Sequence, residues 1–280
     1  MTTVESPAVG RTTVRIVVPV KYVPDINADR RFEDGRVVRD PAEGTLNELD
    51  ENALEAALRL LESLPDDERA ASEVVAVTVA PAEADVALRK AYQMGVDRGI
   101  RVTDDALAGS DYFGTTAALA AAVRRLEAEA PVDLVVTGMA ALDGLGSVVP
   151  ALLAAELGRP QLTLAKTVAL DGGTLTITRE TDDATEVLEA PLPAVLSVTD
   201  SANTARFPNF KLIMAARTKQ IEVWSAADLG LDAAAVGAAG ARTSTPGAAP
   251  RPPRPEVELV VDKGEGGKAL ADFLIRNELV

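Results

Sequence analysis

Three runs of β-branched residues constrain this chain more than any other feature: VRIVVPV at Val14–Val20, EVVAVTVA at Glu73–Ala80 and VDLVVT at Val132–Thr137. None alternates polar with apolar residues, which is the signature of strands covered on both faces in a parallel sheet. Stretches of helical periodicity separate them. Asp50–Leu64 places Leu54, Leu58, Leu61 and Leu64 on one side and stops at Pro65, Ala82–Met94 is ended by Gly95, and Tyr112–Ala128 is alanine-rich. Gly99–Val102 reads as a further short strand, and a helix from about Val148 to Leu157 follows the glycine-bearing loop Gly138–Gly146. Strands alternating with helices predict right-handed crossovers and an open, mostly parallel α/β nucleotide-binding sheet flanked by helices.

The pattern changes after Gly158. Leu162–Leu170, Thr174–Glu180, Glu186–Glu189 and Ala194–Thr199 read as short strands, with Asp171, Gly172 and Gly173 as the turn of a hairpin, so an added antiparallel segment is expected. Pro208–Ala216 reads as a loop leading into a short helix, and Gln220–Trp224 as one more strand. From Ala233 to Pro255 the residues are mostly Ala, Gly, Pro, Ser and Thr, the composition of a linker. The expected organisation is a domain over 1–232, a linker over 233–255 and a C-terminal arm over 256–280, with a strand at Val257–Val261 and a helix at Lys268–Leu279. An arm this small has no core of its own and must dock on its own domain or on a partner.

Composition narrows the chemistry. With 28 basic against 43 acidic residues the net charge is −15, a field that repels phosphate backbones and anionic membrane surfaces, so no nucleic acid partner is expected. The chain has no Cys and no His, which removes thiol catalysis, histidine triads and the usual zinc sites. Redox work by such a chain needs a bound organic cofactor. Met1–Arg11 lacks the apolar stretch of a signal peptide and no apolar run approaches 20 residues, so the expectation is a cytoplasmic protein without membrane insertion.

Four segments can carry function. In VVTGMAALDGLGSVVPALLAAEL a strand runs into Gly138, Asp143, Gly144 and Gly146 and then into a helix. Glycines let the backbone approach a ligand and free amides at a helix start attract phosphate, but an ordinary strand-to-helix turn looks the same. In NELDENALEAALRL, Asn47 or Asp50 can cap a helix whose start lies at the carboxyl edge of the sheet, where open α/β sheets place ligands. ARFPNFKLIMAARTK sets Phe207, Phe210, Leu212, Ile213 and Met214 among Arg206, Lys211, Arg217 and Lys219, which suits either a buried helix end or a protein-docking loop. Arg179 and Glu180 end a strand and read as a solvated salt-bridging edge.

Taken together and in order, VPVKYVPD, NELDENALEAALRL, AYQMGVDRGIRV, VDLVVTGMAALDGLGSVVP with GRPQLT, TRETDD and RFPNFKLIMAARTK resemble the beta subunit of the electron-transfer flavoprotein over roughly Val14–Leu231. The resemblance implies a heterodimer with an alpha subunit, a redox FAD held mainly by that subunit, and a structural AMP in the beta subunit. It implies an electron carrier without catalytic residues of its own. Electrons would come from flavin dehydrogenases, typically acyl-CoA dehydrogenases of fatty acid oxidation, and pass to a membrane quinone oxidoreductase. Carried over by position, the nucleotide site falls on Pro19, on Asn47, Glu48, Leu49 and Asp50, on Val79, and on Gly138 with Asp143, Gly144, Leu145, Gly146, Ser147, Val148 and Val149. The family's recognition loop falls on Arg206–Ala215, with Phe210 where Leu is common. Arg179, Glu180 and Ile26 match positions near the mobile flavin domain, and Leu49 falls near the flavin ring.

The chain departs from the family's pattern in three places, one of them the Pro-rich linker, which makes the C-terminal arm longer and looser than expected. The phosphate loop lacks the D-G-D-T-x-Q-V of many members, leaving Ser147 as its one hydroxyl, and the recognition loop reads Asn203, Thr204, Ala205, Arg206 instead of N-E-P-R. Two alternatives stay open. One is an electron-bifurcating version with FAD in the beta site, toward which the spacing of Asn47, Asp50, Ala53 and Glu55 leans while the altered phosphate loop leans against it. The other is a stand-alone adenine-nucleotide sensor or hydrolase.

Overall fold

The β-branched runs form the interior of a parallel sheet, as their lack of alternation predicts. The structure, a computed structural model, describes residues 13–28, 31–33, 36–40, 42–247, 252–254, 257 and 259–280. Met1–Arg11, and residues 248–251 and 255 of the stretch read as a linker, lie outside the described residues. In chain order the first half consists of β1 (Arg15–Pro19), β2 (Tyr22–Pro24), β3 (Phe32–Glu33), β4 (Arg36–Val37), β5 (Gly44–Leu46), α1 (Glu48–Glu62), α2 (Asp66–Ala71), β6 (Glu73–Val79), α3 (Asp85–Met94), β7 (Arg98–Val102) and α4 (Tyr112–Glu127). The remainder is β8 (Leu134–Gly138), α5 (Val149–Leu157), β9 (Gln161–Ala165), β10 (Thr167–Asp171), β11 (Thr174–Glu180), β12 (Thr185–Pro191), β13 (Ala194–Val198), α6 (Phe210–Thr218), β14 (Ile221–Trp224), α7 (Gly237–Gly240) and α8 (Gly266–Arg276).

Seven strands pair in the order β14, β7, β6, β1, β8, β13, β9, every neighbour parallel. Ile16 and Val18 of β1 enter one core with Leu54, Leu58 and Leu61 of α1 and Leu88 and Met94 of α3. Val17, between them, enters the opposite core with Leu119, Val123 and Leu126 of α4 and Leu153 of α5. Each such burial contributes roughly 1.5–3 kcal/mol, and the two cores explain why the strand needs apolar residues at every position.

Chain order sets where a ligand can sit. From β1 the chain moves outward through β6 and β7, then returns to place β8 on the other side of β1. The connections leaving β1 and β8 therefore diverge, and a crevice opens at the carboxyl ends of those strands.

The second half corrects the expected grouping of strands. Gln161–Ala165 and Ala194–Val198 are not part of an antiparallel segment; as β9 and β13 they extend the parallel sheet. Leu162–Leu170 is two strands, because the chain bends at Lys166 between them; within β9, Leu164 takes φ +60° where the register with β13 shifts, and its amide donates to Ser197 Oγ at 2.9 Å. In this half only β10, β11 and β12 pair antiparallel, and the Asp171, Gly172, Gly173 turn joins the first two with φ +52° and +82° at its glycines; β2 with β5 and β3 with β4 form two further antiparallel pairs. Leu175 and Ile177 of β11 are buried in the same core as α1.

Contacts divide the chain into units 1–246 and 247–280. Within the stretch read as linker, Val236 is buried in the same core as Trp224, the Gly237 amide donates to Ser110 Oγ at 2.9 Å, and Asp111 accepts from the amides of Arg242 and Thr243. In the second unit α8 is preceded by Asp262, whose Oδ1 accepts from the Gly264 and Gly266 amides at 2.7 Å. Among its described residues no strand forms at Val257–Val261.

Candidate functional site

The crevice is built from three segments: the end of β1 with Lys21, the first turn of α1, and the loop between β8 and α5. Asn47 stands at the N-cap position of α1, but its side chain accepts no capping hydrogen bond from the helix backbone. Instead its Nδ2 donates to the Ala140 carbonyl at 2.9 Å and its Oδ1 accepts from the Leu142 amide at 3.0 Å. Asp50 is equally removed from capping, since its Oδ2 accepts from the Lys21 amide at 2.8 Å. The capping role expected for either residue gives way to the pinning of two neighbouring loops.

Gly138 permits this closeness. A Cβ there would lie 2.5 Å from the Leu49 carbonyl oxygen and 2.9 Å from Asp50 Oδ1, so only glycine lets β8 end against the start of α1. Beyond it Leu145 and Ser147 take positive φ of +48° and +54°. Gly146 lies beneath Tyr112, whose hydroxyl would be 2.2 Å from a Cβ at that position.

Electrostatics at the crevice are unusual for so acidic a chain. Lys21 Nζ binds Asp143 Oδ1 at 2.7 Å and Arg39 binds the other carboxylate oxygen, although the Asp143 side chain is only 2% exposed. Burial alone would raise the Asp143 pKa, but these two cations hold it below its ordinary value. For Asp50 burial prevails, and it pushes the carboxyl up to about 7 against the opposing hydrogen bonds from Asn47 and the Lys21 amide and the Lys21 charge.

Anion binding is supported by the backbone. Among the described residues no group accepts from the amides of Gly146, Ser147, Val148, Val149 or Ala151, at the start of α5. Such amides with the helix dipole behind them suit a phosphate group, and the hydroxyl of Ser147 is alongside. Pro19 and Val79 are half-buried at the ends of adjacent strands β1 and β6. Glu48 is exposed and Leu49 half-buried in the first turn of α1. Thus the structure brings together the α1 turn, the loop after β8 and Lys21, with Pro19 and Val79 at the ends of neighbouring strands. Sequence reasoning missed Lys21, Arg39 and Tyr112; a lysine directly following a buried strand was a usable signal, whereas Arg39 and Tyr112 reach the loop only through the fold.

The other residues singled out lie elsewhere. Phe207 and Phe210 are 94% and 78% exposed, Met214 is exposed, and Leu212 and Ile213 are half-buried on α6. Arg206 turns the other way, onto Glu55 and Glu62 of α1. Arg179 pairs with Glu186 across the β11–β12 ladder, Glu180 pairs with Lys166, and Ile26 is exposed beyond β2. Among the described residues no three acidic side chains group as a metal site, and no helix is long and apolar enough to cross a membrane.

Residues 34–229 match the family described as Electron transfer flavoprotein domain. The Electron transfer flavoprotein subunit beta of Mycobacterium tuberculosis is 39% identical over 267 residues, covering 95% of this chain and 99% of its own. That of Mycobacterium leprae is 39% identical over the same coverage. The Caffeyl-CoA reductase-Etf complex subunit CarD of Acetobacterium woodii is 33% identical over 225 residues, 80% of this chain and 83% of its own.

Proposed function

This chain belongs to the electron transfer flavoprotein family as a beta subunit, and from that premise we propose that it holds a structural AMP in the β1–β8 crevice and presents a docking loop to flavin dehydrogenases. It pairs with an alpha subunit, which carries most of the contacts to a redox FAD; the flavin, when bound, accepts and donates the electrons. Electrons arrive from dehydrogenases such as the acyl-CoA class and leave to a membrane quinone oxidoreductase. The chain's own residues bind and orient and break no bonds. Residues 256–280 serve as an arm for the alpha subunit, and Ile26, Leu49, Arg179 and Glu180 lie toward the flavin-bearing domain.

The observation that carries the nucleotide reading is the set of unpartnered amides at Gly146–Val149, in a loop whose one buried carboxylate is already neutralised by Lys21 and Arg39. A phosphate at those amides would meet backbone donors instead of an uncompensated negative charge. Pro19, Asn47, Glu48, Leu49, Asp50 and Val79 would line the rest of the nucleotide, with Gly138 and Asp143–Val149 beneath its phosphate.

A second reading places FAD in the same crevice, as an electron-bifurcating member. In its favour is the likeness to a subunit of a Caffeyl-CoA reductase-Etf complex. The spacing of Asn47, Asp50 and Glu55 that leaned the same way has another explanation, since Asn47 holds the glycine loop, Asp50 the Lys21 amide and Glu55 an arginine. The sensor or hydrolase reading has no observation in its favour. Purifying the heterodimer, denaturing it and separating the released nucleotides tests all three. One FAD and one AMP per dimer is expected; two FAD moves the assignment to bifurcation, and no adenine nucleotide besides the shared FAD removes it.

A further inference from the structure

Helix α1 carries polar side chains at Asn52, Glu55, Arg59 and Glu62, and spacings of three, four and three align them on one face. That face holds the segment leading into the exposed phenylalanines. Asn52 Nδ2 donates to the Asn203 carbonyl at 2.9 Å, and Asn203 Nδ2 donates back to the Asn52 carbonyl at 3.0 Å. One turn further on, Glu55 accepts from Arg206 Nε at 2.7 Å and from the Arg206 backbone amide at 3.2 Å, and its second oxygen accepts from Arg59 Nε at 2.5 Å. Glu62 accepts from the two terminal nitrogens of Arg206 at 2.6 and 2.9 Å.

The far side of the segment is anchored separately. Arg89 of α3 donates to the carbonyls of Ala216 and Lys219, and Lys219 Nζ donates to those of Val96 and Asp97. Between the two anchors Phe207 and Phe210 project into solvent with nothing packed over them. Where they point is therefore set by what holds the adjoining backbone. The Glu55 side chain is 3% exposed, and a buried carboxylate is tolerated only with its partners in place. Arg206 brings its Nε and its backbone amide to that carboxylate, beside the Nε of Arg59, and it is the residue immediately before Phe207.

We propose that Glu55, acting through Arg206, is a positioning residue for partner docking: it fixes the placement of Phe207 and Phe210, and so the affinity for a flavin dehydrogenase, without touching that partner. The proposal rests on the docking reading above and assigns a second task to α1, whose first turn grips the glycine loop while its later turns grip the docking segment.

The test uses the heterodimer with Glu55→Gln, Arg206→Gln and both together. Hydrogen exchange is followed over residues 203–213, and flavin reduction is titrated with a dehydrogenase that reduces the wild-type complex. Expected are exchange about tenfold faster at 203–206, since a hydrogen bond to a charged group is lost, and a roughly tenfold rise in half-saturating dehydrogenase at unchanged maximal rate. Nucleotide and flavin content stay the same, and the double variant is no worse than either single one. Unchanged exchange, additive effects, or a fall in maximal rate alone would overturn the proposal. Should Glu55→Gln fail to fold, Arg206→Gln interrupts the same contact from its more exposed side. The docking reading fails separately: Phe207→Ala and Phe210→Ala would then leave half-saturation unchanged even though Glu55→Gln speeds exchange, and the link to affinity would fall with it.

Discussion

The Asn47 side chain accepts from the Leu142 amide at 3.0 Å, so the residue standing at the cap of α1 secures a loop 95 positions away and leaves its own helix uncapped. The acidic first turn, Glu48, Asp50 and Glu51, compensates by placing negative charge at the positive end of the helix dipole. One side chain thereby joins two of the three segments that line the crevice.

Asn47→Ala removes both bonds and leaves the Ala140 carbonyl and Leu142 amide without their partner. The expected loss is about 1–3 kcal/mol in denaturant unfolding, with less nucleotide retained through purification. Asn47→Ser, whose shorter side chain can cap the helix without spanning to the glycine loop, is expected to restore helix capping and not nucleotide content; full retention in both variants would show that the tether is dispensable.

Two glycines of the loop should respond differently to the same change. Gly138→Ala drives a methyl into the backbone of Leu49, which cannot move without displacing α1, and the expected cost is about 1–3 kcal/mol or more. Gly146→Ala meets only the tip of the Tyr112 ring, itself 38% exposed and able to swing away, so the cost is expected below about 1 kcal/mol. Equal thermal shifts in the two variants would contradict this.

Asp50 makes stability fall with rising pH over a defined window. Its ordinary pKa is 3.8 and burial raises it to about 7 in the folded chain, so between those values the folded state holds a proton that the unfolded state has released. Its contribution therefore becomes less favourable from about pH 4 to about pH 7 and levels off above. Glu55 acts in the opposite sense: burial works against ionisation, but hydrogen bonds from Arg206 and Arg59 hold its pKa below 4.5, so its stabilisation is present above that value and lost as pH falls through the folded pKa. Asp50→Asn should gain on the wild type in urea midpoint as pH rises from 5 to 8. Parallel pH profiles for the two proteins would be inconsistent with a buried neutral Asp50.

Truncation inside the first unit tests the segment after Asp232. Ending at Asp232 removes buried Val236 and the bonds from Arg242 and Thr243 to Asp111, for a loss on the order of 3 kcal/mol.

Much of the fold was legible because local and tertiary demands agree. Val74–Val77 must be apolar on both faces, and they read as a buried strand; Gly95, with φ +118°, ends α3 where a left-handed residue is required. Strand pairing was less legible, since Ala194–Val198 has the same composition whether it closes a hairpin or lies parallel between β8 and β9. The site divided likewise. Its glycine loop and α1 turn could be read as segments, whereas the roles of Asn47, Asp50 and Glu55 depended on partners 93, 29 and 151 residues away.

Periodicity, segment order and residue inventory are properties of the chain alone, and they carry the class of fold, the family and the absence of histidine and thiol chemistry. Which side chains hold which loops is a property of the folded chain. A hydrogen bond depends on distance and direction between atoms, and for Asn47, Lys21 and Arg206 both are set by how the sheet brings remote segments together.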